Sequence, residues 1–266
     1  MDNEDAPVAI DRLMSLLDRV AVVTGAAQGI GFAIACRLAE AHASVVVVDV
    51  DGVKAADAAS EIADRYDVRA LSYAADISRE ADVDRLDEFV NREFGPVHIW
   101  INNAGVFPRL DAVDVTVHDF ERVFAVNVLG TQLGMATAVR SMRRAATAGV
   151  ILNVVSTAAY RGSGAYSASK WAVRGLTGGL AAEVGGDGIR VLAVAPTVTN
   201  TPGMFNWLAD AASGDVAERT TAHVPLGRMC EPDDVARMVA FLVSDAASFV
   251  SGVTIPVDGG SLRVLP

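Results

Sequence analysis

Tyr166 and Lys170 stand four residues apart in the run Tyr166-Ser167-Ala168-Ser169-Lys170, so on a helix they share one face. An ammonium beside a phenol favours phenolate and lowers the phenol's pKa. A tyrosine tuned in this way exchanges a proton with an alcohol oxygen while hydride leaves the carbon. Of the 22 basic residues in the chain, only Lys54 and Lys170 are lysines. A primary amine bridges ribose hydroxyls and a phenol where the broad guanidinium fork does not fit equally. Y-x-x-x-K alone is a common helix pair. What gives it weight here is its place after a central strand of a nucleotide-type fold.

A second group of residues suits a phosphate ligand. Thr24-Gly25-Ala26-Ala27-Gln28-Gly29-Ile30-Gly31 lies between an apolar run and a helical pattern. Glycine there lets the backbone turn tightly and approach a pyrophosphate, and the following helix offers N–H donors and the positive end of its dipole. The spacing departs by one residue from G-x-G-x-x-G, but the strand–glycine–helix context is right. Gly25, Gln28, Gly29, Ile30 and Gly31 are therefore candidate cofactor contacts. Asp49 falls 24 residues after Gly25, where an acid accepts hydrogen bonds from an adenosine ribose diol and repels a 2′-phosphate. Val50 follows it and no cation stands in the glycine loop, which points to NAD over NADP. Asp51, two residues on, is open to confusion with the same role.

The elements that would carry these residues alternate regularly. Strands are expected at Val20–Thr24, Ser44–Val48, Val68–Ala74, Val97–Ile101, Val150–Val155, Arg190–Ala195 and Val253–Val257. The four consecutive valines Val45–Val48 suit a strand buried on both faces. Helical patterns cover Ile30–Ala41, Asp51–Tyr66, Ser78–Phe94 with Ser78 as its cap, and Ala165–Val184 closed by Gly185-Gly186. Thr116 with Asp119 resembles a capping box and opens a helical stretch to about Ala146. Pro232 suits a first helical turn, with Asp233-Asp234 at the positive end of the dipole. The alternation predicts an α/β, doubly wound, Rossmann-type fold, with a seven-stranded, mostly parallel sheet covered by helices on both faces. One domain over residues 16–266 follows an N-terminal extension of 1–15. The long segment Thr197–Pro225, holding Met204, Phe205, Trp207 and Leu208, reads as a substrate lid.

Bulk properties exclude other classes. The chain has 266 residues, 52% hydrophobic and 21% charged, with a net charge of −11, which removes general electrostatic support for nucleic-acid binding. The two cysteines, Cys36 and Cys230, form no disulfide framework. Four histidines without ligand spacing predict no metal site. An acidic N-terminus and the lack of an apolar run of about 20 residues predict a soluble, cytoplasmic protein with no membrane span.

The chain resembles the classical short-chain dehydrogenase/reductases over roughly Leu16 to Gly260. The landmarks are Thr24–Gly31, Asp76-Ile77, Asn102-Asn103-Ala104-Gly105, Asn127, Ser156, and Tyr166 with Lys170, in that order. The resemblance implies hydride transfer at nicotinamide, with Tyr166 as general acid/base. It implies that Lys170 lowers the Tyr166 pKa and holds the nicotinamide ribose, that Ser156 hydrogen-bonds the substrate oxygen, and that Asn127 helps hold a proton-relay water. Asp76 and Ile77 match the pair that meets adenine, Asn103, Ala104 and Gly105 the turn beside the adenosine ribose, and Pro196, Val198 and Thr201 a stretch near the nicotinamide amide. It further implies a homotetramer. Taken alone, Asn127 reads as a helix hydrogen bond and Asn102-Asn103 as an ordinary turn.

Two departures from the family pattern stand out. The Ser156–Tyr166 interval is a few residues short, and Thr197 replaces the usual glycine after Pro196. Trimming the loop Thr157–Ala165 keeps Ser156 as the oxygen-binding hydroxyl, whereas displacement of the site would pass that role to Ser163. The first is favoured, because strand five ends at Val155. Tyr160 and Arg161 in this loop are candidate substrate contacts or plain exposed loop residues.

The leading function is an NAD-dependent oxidoreductase interconverting a small-molecule secondary alcohol and a ketone, with an apolar or cyclic substrate. A 3-oxoacyl-carrier-protein reductase and a non-catalytic NAD-binding regulatory protein are the alternatives. The first conflicts with Asp49 and the second with an intact Asn127, Ser156, Tyr166 and Lys170.

Overall fold

The computed structural model describes residues 7–108, 113–162, 164–203, 221–222 and 224–264. Seven strands form one sheet: β1 Val20–Thr24, β2 Ser44–Asp49, β3 Ala70–Ala74, β4 Ile99–Asn102, β5 Gly149–Val154, β6 Ile189–Pro196 and β7 Thr254–Val257. Their order is β3-β2-β1-β4-β5-β6-β7, and every neighbouring pair is parallel. With all strands parallel, every carboxyl end lies on the same edge. The strand order reverses between β1 and β4, and ligands of such sheets bind in the crevice at that reversal.

Burial on both faces explains why β2 reads as unbroken valine. Val45 and Val47 pack into the core on one side, with Ala21, Val23 and Ile34, while Val46 and Val48 pack into the core on the other, with Val22, Trp100 and Leu86. A strand with no solvent face needs no polar alternation. The first core is covered by α2 (Gly29–Glu40), α3 (Gly52–Tyr66) and α9 (Pro232–Val243). The second is covered by α4 (Glu80–Glu93), α6 (Gly130–Ala145) and α8 (Gly164–Val184). No helix among the described residues is long and apolar enough to cross a membrane.

Several expected boundaries move. Ser78 does not cap α4: its hydroxyl donates to Asp76 Oδ1 at 2.6 Å, and the N-cap is Arg79, with no side-chain cap bond. The third and fourth strands start two residues late, at Ala70 and Ile99, and Val97 is buried ahead of β4. Thr116 does cap α5 (Val117–Phe124), accepting from Asp119 N–H at 3.1 Å. The Asp119 carboxylate takes the Thr116 hydroxyl rather than the backbone, so the box is half made. The stretch beyond is interrupted, since residues Ala125–Leu129 form a π-helical turn between α5 and α6. Asp51 caps α3, accepting from Lys54 N–H and pairing with the Lys54 ammonium at 2.8 Å, which separates it from Asp49. Pro232 takes the first turn of α9, and Asp234 accepts from the N–H of the N-cap residue Glu231.

Ahead of the sheet lies α1 (Ile10–Met14), whose side chains stay outside the core. Cys36 and Cys230 are buried and free. After β6, Thr199 bridges to Cys230. Met204, Phe205, Trp207 and Leu208 lie outside the described residues, as does Ser163.

Candidate active site

A clasp between β1 and β4 builds the floor of the site. The Thr24 hydroxyl donates to Ile101 C=O at 3.2 Å and accepts from the N–H groups of Asn103 and Ala104 at 3.0 and 3.1 Å. That uses its single donor and both lone pairs. Asn103 Nδ2 donates to the carbonyls of Thr24 and Gly25 at 2.9 and 3.0 Å. Thus Asn103 fixes the glycine loop with its side chain while its backbone lines the cleft.

The loop shape demands glycine at two points. Gly25 has φ +63°, and a Cβ there would lie 2.7 Å from Ala104 Cα. A Cβ on Gly31 would lie 2.2 Å from Gly25 C=O and 2.5 Å from Asn103 Nδ2. The backbone is therefore drawn close to its neighbours, and α2 opens at Gly29 with Gln28 as N-cap. Its first residues, Gly29 and Ile30, border the cleft, and a helix N-terminus so placed suits a pyrophosphate. Asp49 sits beside them, accepting from Ala27 N–H at 3.2 Å and Asp51 N–H at 3.1 Å. Asp76 and Ile77 follow β3. Asp76 is turned toward Ser78, and Ile77 abuts Gly130, where any side chain would collide with Ile77 Cδ1. These features fit a dinucleotide.

The reactive groups enter from β5 and α8. Ser156 follows β5 at its carboxyl end, its Oγ accepting from Ala158 N–H at 3.2 Å. A single helical turn, α7 (Ala158–Arg161), fills the short interval, and Tyr166 then lies in the first turn of α8. Tyr166 is half-buried as a residue, but its phenol end lies deep. Burial pushes the phenol pKa above its ordinary value and the neighbouring Ser156 hydroxyl pulls it back down. This differs from the expectation of a phenol lowered by Lys170. The Lys170 ammonium lies 5.7 Å from the Tyr166 ring centroid, and burial lowers its own pKa to about 8. Lys170 Nζ donates to Val154 C=O at 3.0 Å.

Asn127 lies in the π-helical turn and is fully buried. Its Oδ1 accepts from Val106 N–H at 2.8 Å, and its Nδ2 donates to Val106 C=O at 2.9 Å and to Ser169 Oγ at 3.0 Å. The side chain ties the loop after β4 to the helix bearing Tyr166 and Lys170, so it is not an ordinary helix hydrogen bond. Single π-turns inside helices recur at functional sites.

Arg161 but not Tyr160, and all the predicted catalytic and cofactor contacts except Gly31 and Asn127, border one cleft of about 1140 Å³. Those two lie beneath it, Gly31 under the loop and Asn127 under the Gly105 turn. Pro196, Val198 and Thr201 form the wall after β6, with the Thr201 methyl near Gly29. Sequence reasoning did not single out Thr24 as the clasp, Ser169 as the partner of Asn127, or Phe107, whose ring meets Tyr166 edge-on at 6.3 Å between centroids. The Ser169 signal was available, as a small polar residue one position before Lys170 on an apolar helix face.

A family profile described as Enoyl-(Acyl carrier protein) reductase matches residues 25–261. The 4-formylbenzenesulfonate dehydrogenase of Comamonas testosteroni is 41% identical, the alignment covering 93% of this chain and 99% of that one. The cis-4-hydroxycyclohexanecarboxylate dehydrogenase of Sinomonas cyclohexanicum is 40% identical, covering 93% and 98%. Among solved structures, a 3-ketoacyl-(acyl-carrier-protein) reductase from Brucella melitensis complexed with NADH superposes with a TM-score of 0.85 at 38% identity, covering 93% and 99%. The chain belongs to the classical short-chain dehydrogenase/reductase family. It is an oxidoreductase of that family, built to use a nicotinamide cofactor.

Burial of Lys170 has a measurable consequence. Its folded pKa of about 8 lies below the ordinary 10.5, so between these values the unfolded chain binds more protons. Stability from this group is therefore gained as pH rises from 8 to 10.5 and absent below. Relative to Lys170→Met, the wild type is expected to gain about 3 kcal/mol between pH 7 and pH 10.5. Urea unfolding of both proteins across that range checks it; a constant difference would show that Lys170 keeps its ordinary pKa.

Proposed function

We propose that the protein is an NAD-dependent dehydrogenase interconverting a secondary alcohol and a ketone, with a cyclic substrate. The observation that carries the reading is the convergence of Ser156, Tyr166 and Lys170 at the carboxyl edge of β5, beside the glycine loop. When bound, nicotinamide supplies the hydride acceptor or donor. Ser156 donates a hydrogen bond to the substrate oxygen. Tyr166 gives that oxygen a proton in reduction and takes one in oxidation. Lys170, anchored on Val154, would hold the nicotinamide ribose, while the Ser156 hydroxyl is the group that lowers the Tyr166 pKa. Asn127 is a positioning residue, holding the Tyr166 helix against the turn at Val106.

A ring substrate draws support from the two relatives above, whose names carry a six-membered ring with an oxygen function and, opposite it, an anion. The Brucella neighbour favours a second reading, a 3-oxoacyl-thioester reductase. That reading is supported if a 3-oxoacyl thioester is turned over far faster than any cyclic ketone.

Ser156→Ala is expected to lower turnover by about a hundredfold with NAD affinity nearly unchanged, while Ser163→Ala leaves the chemistry intact. Alcohol oxidation needs the phenolate, so its rate should rise with pH. Removing Ser156, which lowers the Tyr166 pKa, should move that rise to higher pH. The reverse ranking of the two serine variants would place the oxygen-binding hydroxyl on Ser163.

Cofactor choice is assigned to Asp49, supported by its place beside Ala27 N–H. Its carboxylate would take the ribose diol and repel a 2′-phosphate. Asp49→Ala should erode a preference for NADH over NADPH measured at equal concentration, and a wild type that prefers NADPH would overturn the assignment.

A homotetramer is proposed from the family resemblance. Exposed Phe120, Leu129 and Trp171 on the helical layer around α6 and α8 support it, whereas Leu176 and Leu180 pack toward the core. Light scattering at micromolar concentration should give four chains; a monomer would exclude it. A single catalytic domain over 16–266 and a cytoplasmic setting complete the reading.

A further inference from the structure

Charge is unevenly spread along the cleft. Its described acidic lining residues, Asp49 and Asp76, sit at the ends of β2 and β3, whereas its cations are Arg122, Arg161 and Lys170. The chain as a whole carries 33 acidic against 22 basic residues, so a stretch of cleft wall whose described charged residues are all cationic runs against its composition. Lys170 is already accounted for. Arg161 is not.

Arg161 ends α7, five residues after Ser156 and five before Tyr166, and borders the same cleft. Among the described residues no carboxylate pairs with it. Its guanidinium instead donates to two neutral oxygens of one residue, Ser261 C=O at 2.9 Å and Ser261 Oγ at 3.4 Å. A guanidinium has five N–H donors in a rigid fork, so donors remain after both bonds. Ser261 is a fixed anchor. It is 1% exposed, its N–H donates to Asp258 C=O, and its Oγ lies 3.4 Å from both Thr197 Oγ1 and Asp258 Oδ2. Behind it, α7 is pinned by Tyr160, whose hydroxyl donates to Thr254 C=O at 3.4 Å and whose ring lies under Arg174 at 4.2 Å. The two departures from the family pattern, the short interval and Thr197, thus meet at Ser261.

We infer that Arg161, held by Ser261, is a specificity residue that receives an anionic group, a carboxylate or sulfonate, on the substrate whose oxygen meets Ser156 and Tyr166. A planar fork with unused donors matches the bidentate geometry of such groups. A short α7 turn carries the guanidinium to the cleft, and the Ser261 tether lowers the entropy lost when it binds. The inference rests on the alcohol–ketone reading and names the substrate class of that same site.

The test uses the full chain loaded with NADH and the non-reacting probe cyclohexanecarboxylate, followed by calorimetry. Wild type should bind the probe, and Arg161→Met should weaken it about thirtyfold, the loss expected for hydrogen bonds to a charged group. Arg122→Gln, at another cation of the cleft wall, should bind as wild type. In turnover, 4-hydroxycyclohexanecarboxylate should be preferred over its methyl ester. Arg161→Met should abolish that preference through KM, leaving kcat for the ester within about threefold. Should Arg161→Met fail to fold, Arg161→Lys replaces it: the charge stays, the fork is lost, and binding should fall measurably. No probe binding by wild type, equal binding by the Arg161 variants, or equal loss of acid and ester turnover would overturn the inference. Probe binding that depends on Arg161, in a protein that oxidises no alcohol with NAD, would instead sink the functional reading and leave the anion site standing.

Discussion

Asn103 donates from one amide nitrogen to the carbonyls of Thr24 and Gly25, while the Thr24 hydroxyl accepts from the backbone of Asn103 and Ala104 and donates to Ile101. This knot spans the place where strand order reverses, between β1 and β4. It converts two loops, 79 residues apart in the chain, into a single surface. The glycine loop, the Gly105 turn and, through Val106 and Asn127, the helix carrying Tyr166 are all referenced to it. Because the loops are buried against each other at backbone distance, the glycines at 25 and 31 follow as a packing requirement before any ligand is considered.

Burial then sets the electrostatics. Lys170 is charged at neutral pH in a place that disfavours charge, and Tyr166 is neutral in a place that disfavours phenolate. Each group is shifted by desolvation in the direction of its uncharged form. Proton exchange between a raised phenol and a substrate oxygen is thereby brought under the control of nearby polar groups, of which Ser156 already acts. A site of this kind is held against its own stability, and the core on both faces of the sheet supplies the margin.

What was legible in the sequence was what local physics determines. Val45–Val48 announced a strand without a wet face, and the regular alternation of strand and helix implied parallel pairing. The start of α4 is displaced because a side chain has a competing partner. Ser78 looks like an N-cap, but its hydroxyl is taken by Asp76 two residues earlier, and the helix starts without a side-chain cap. The π-turn at Ala125–Leu129 has no periodic signal, since a single wide turn leaves apolar spacing on either side nearly unchanged. The partners of Asn127 lie 21 and 42 residues away, and no local rule reaches them. The raised Tyr166 pKa is not legible in the sequence, which displays the neighbouring ammonium and hides the burial.

The polar atoms of the cleft divide into those the fold consumes and those it leaves. Thr24 Oγ1 and the Nδ2 groups of Asn103 and Asn127 spend every donor they have on bonds within the chain, so they define geometry and have nothing left to donate to a ligand. Lys170 spends one of three donors on Val154, and Arg161 spends part of a five-donor fork on Ser261. A partly spent group is both fixed and available, because the bond it makes restricts its rotamers while donors remain on a side chain that borders the cavity. That arrangement costs less conformational entropy at the moment of binding than a free side chain would. It also separates scaffold from working parts on physical grounds. Substituting a saturated residue should disturb every function of the cleft together, whereas substituting a partly spent one should remove one contact and leave the rest in register.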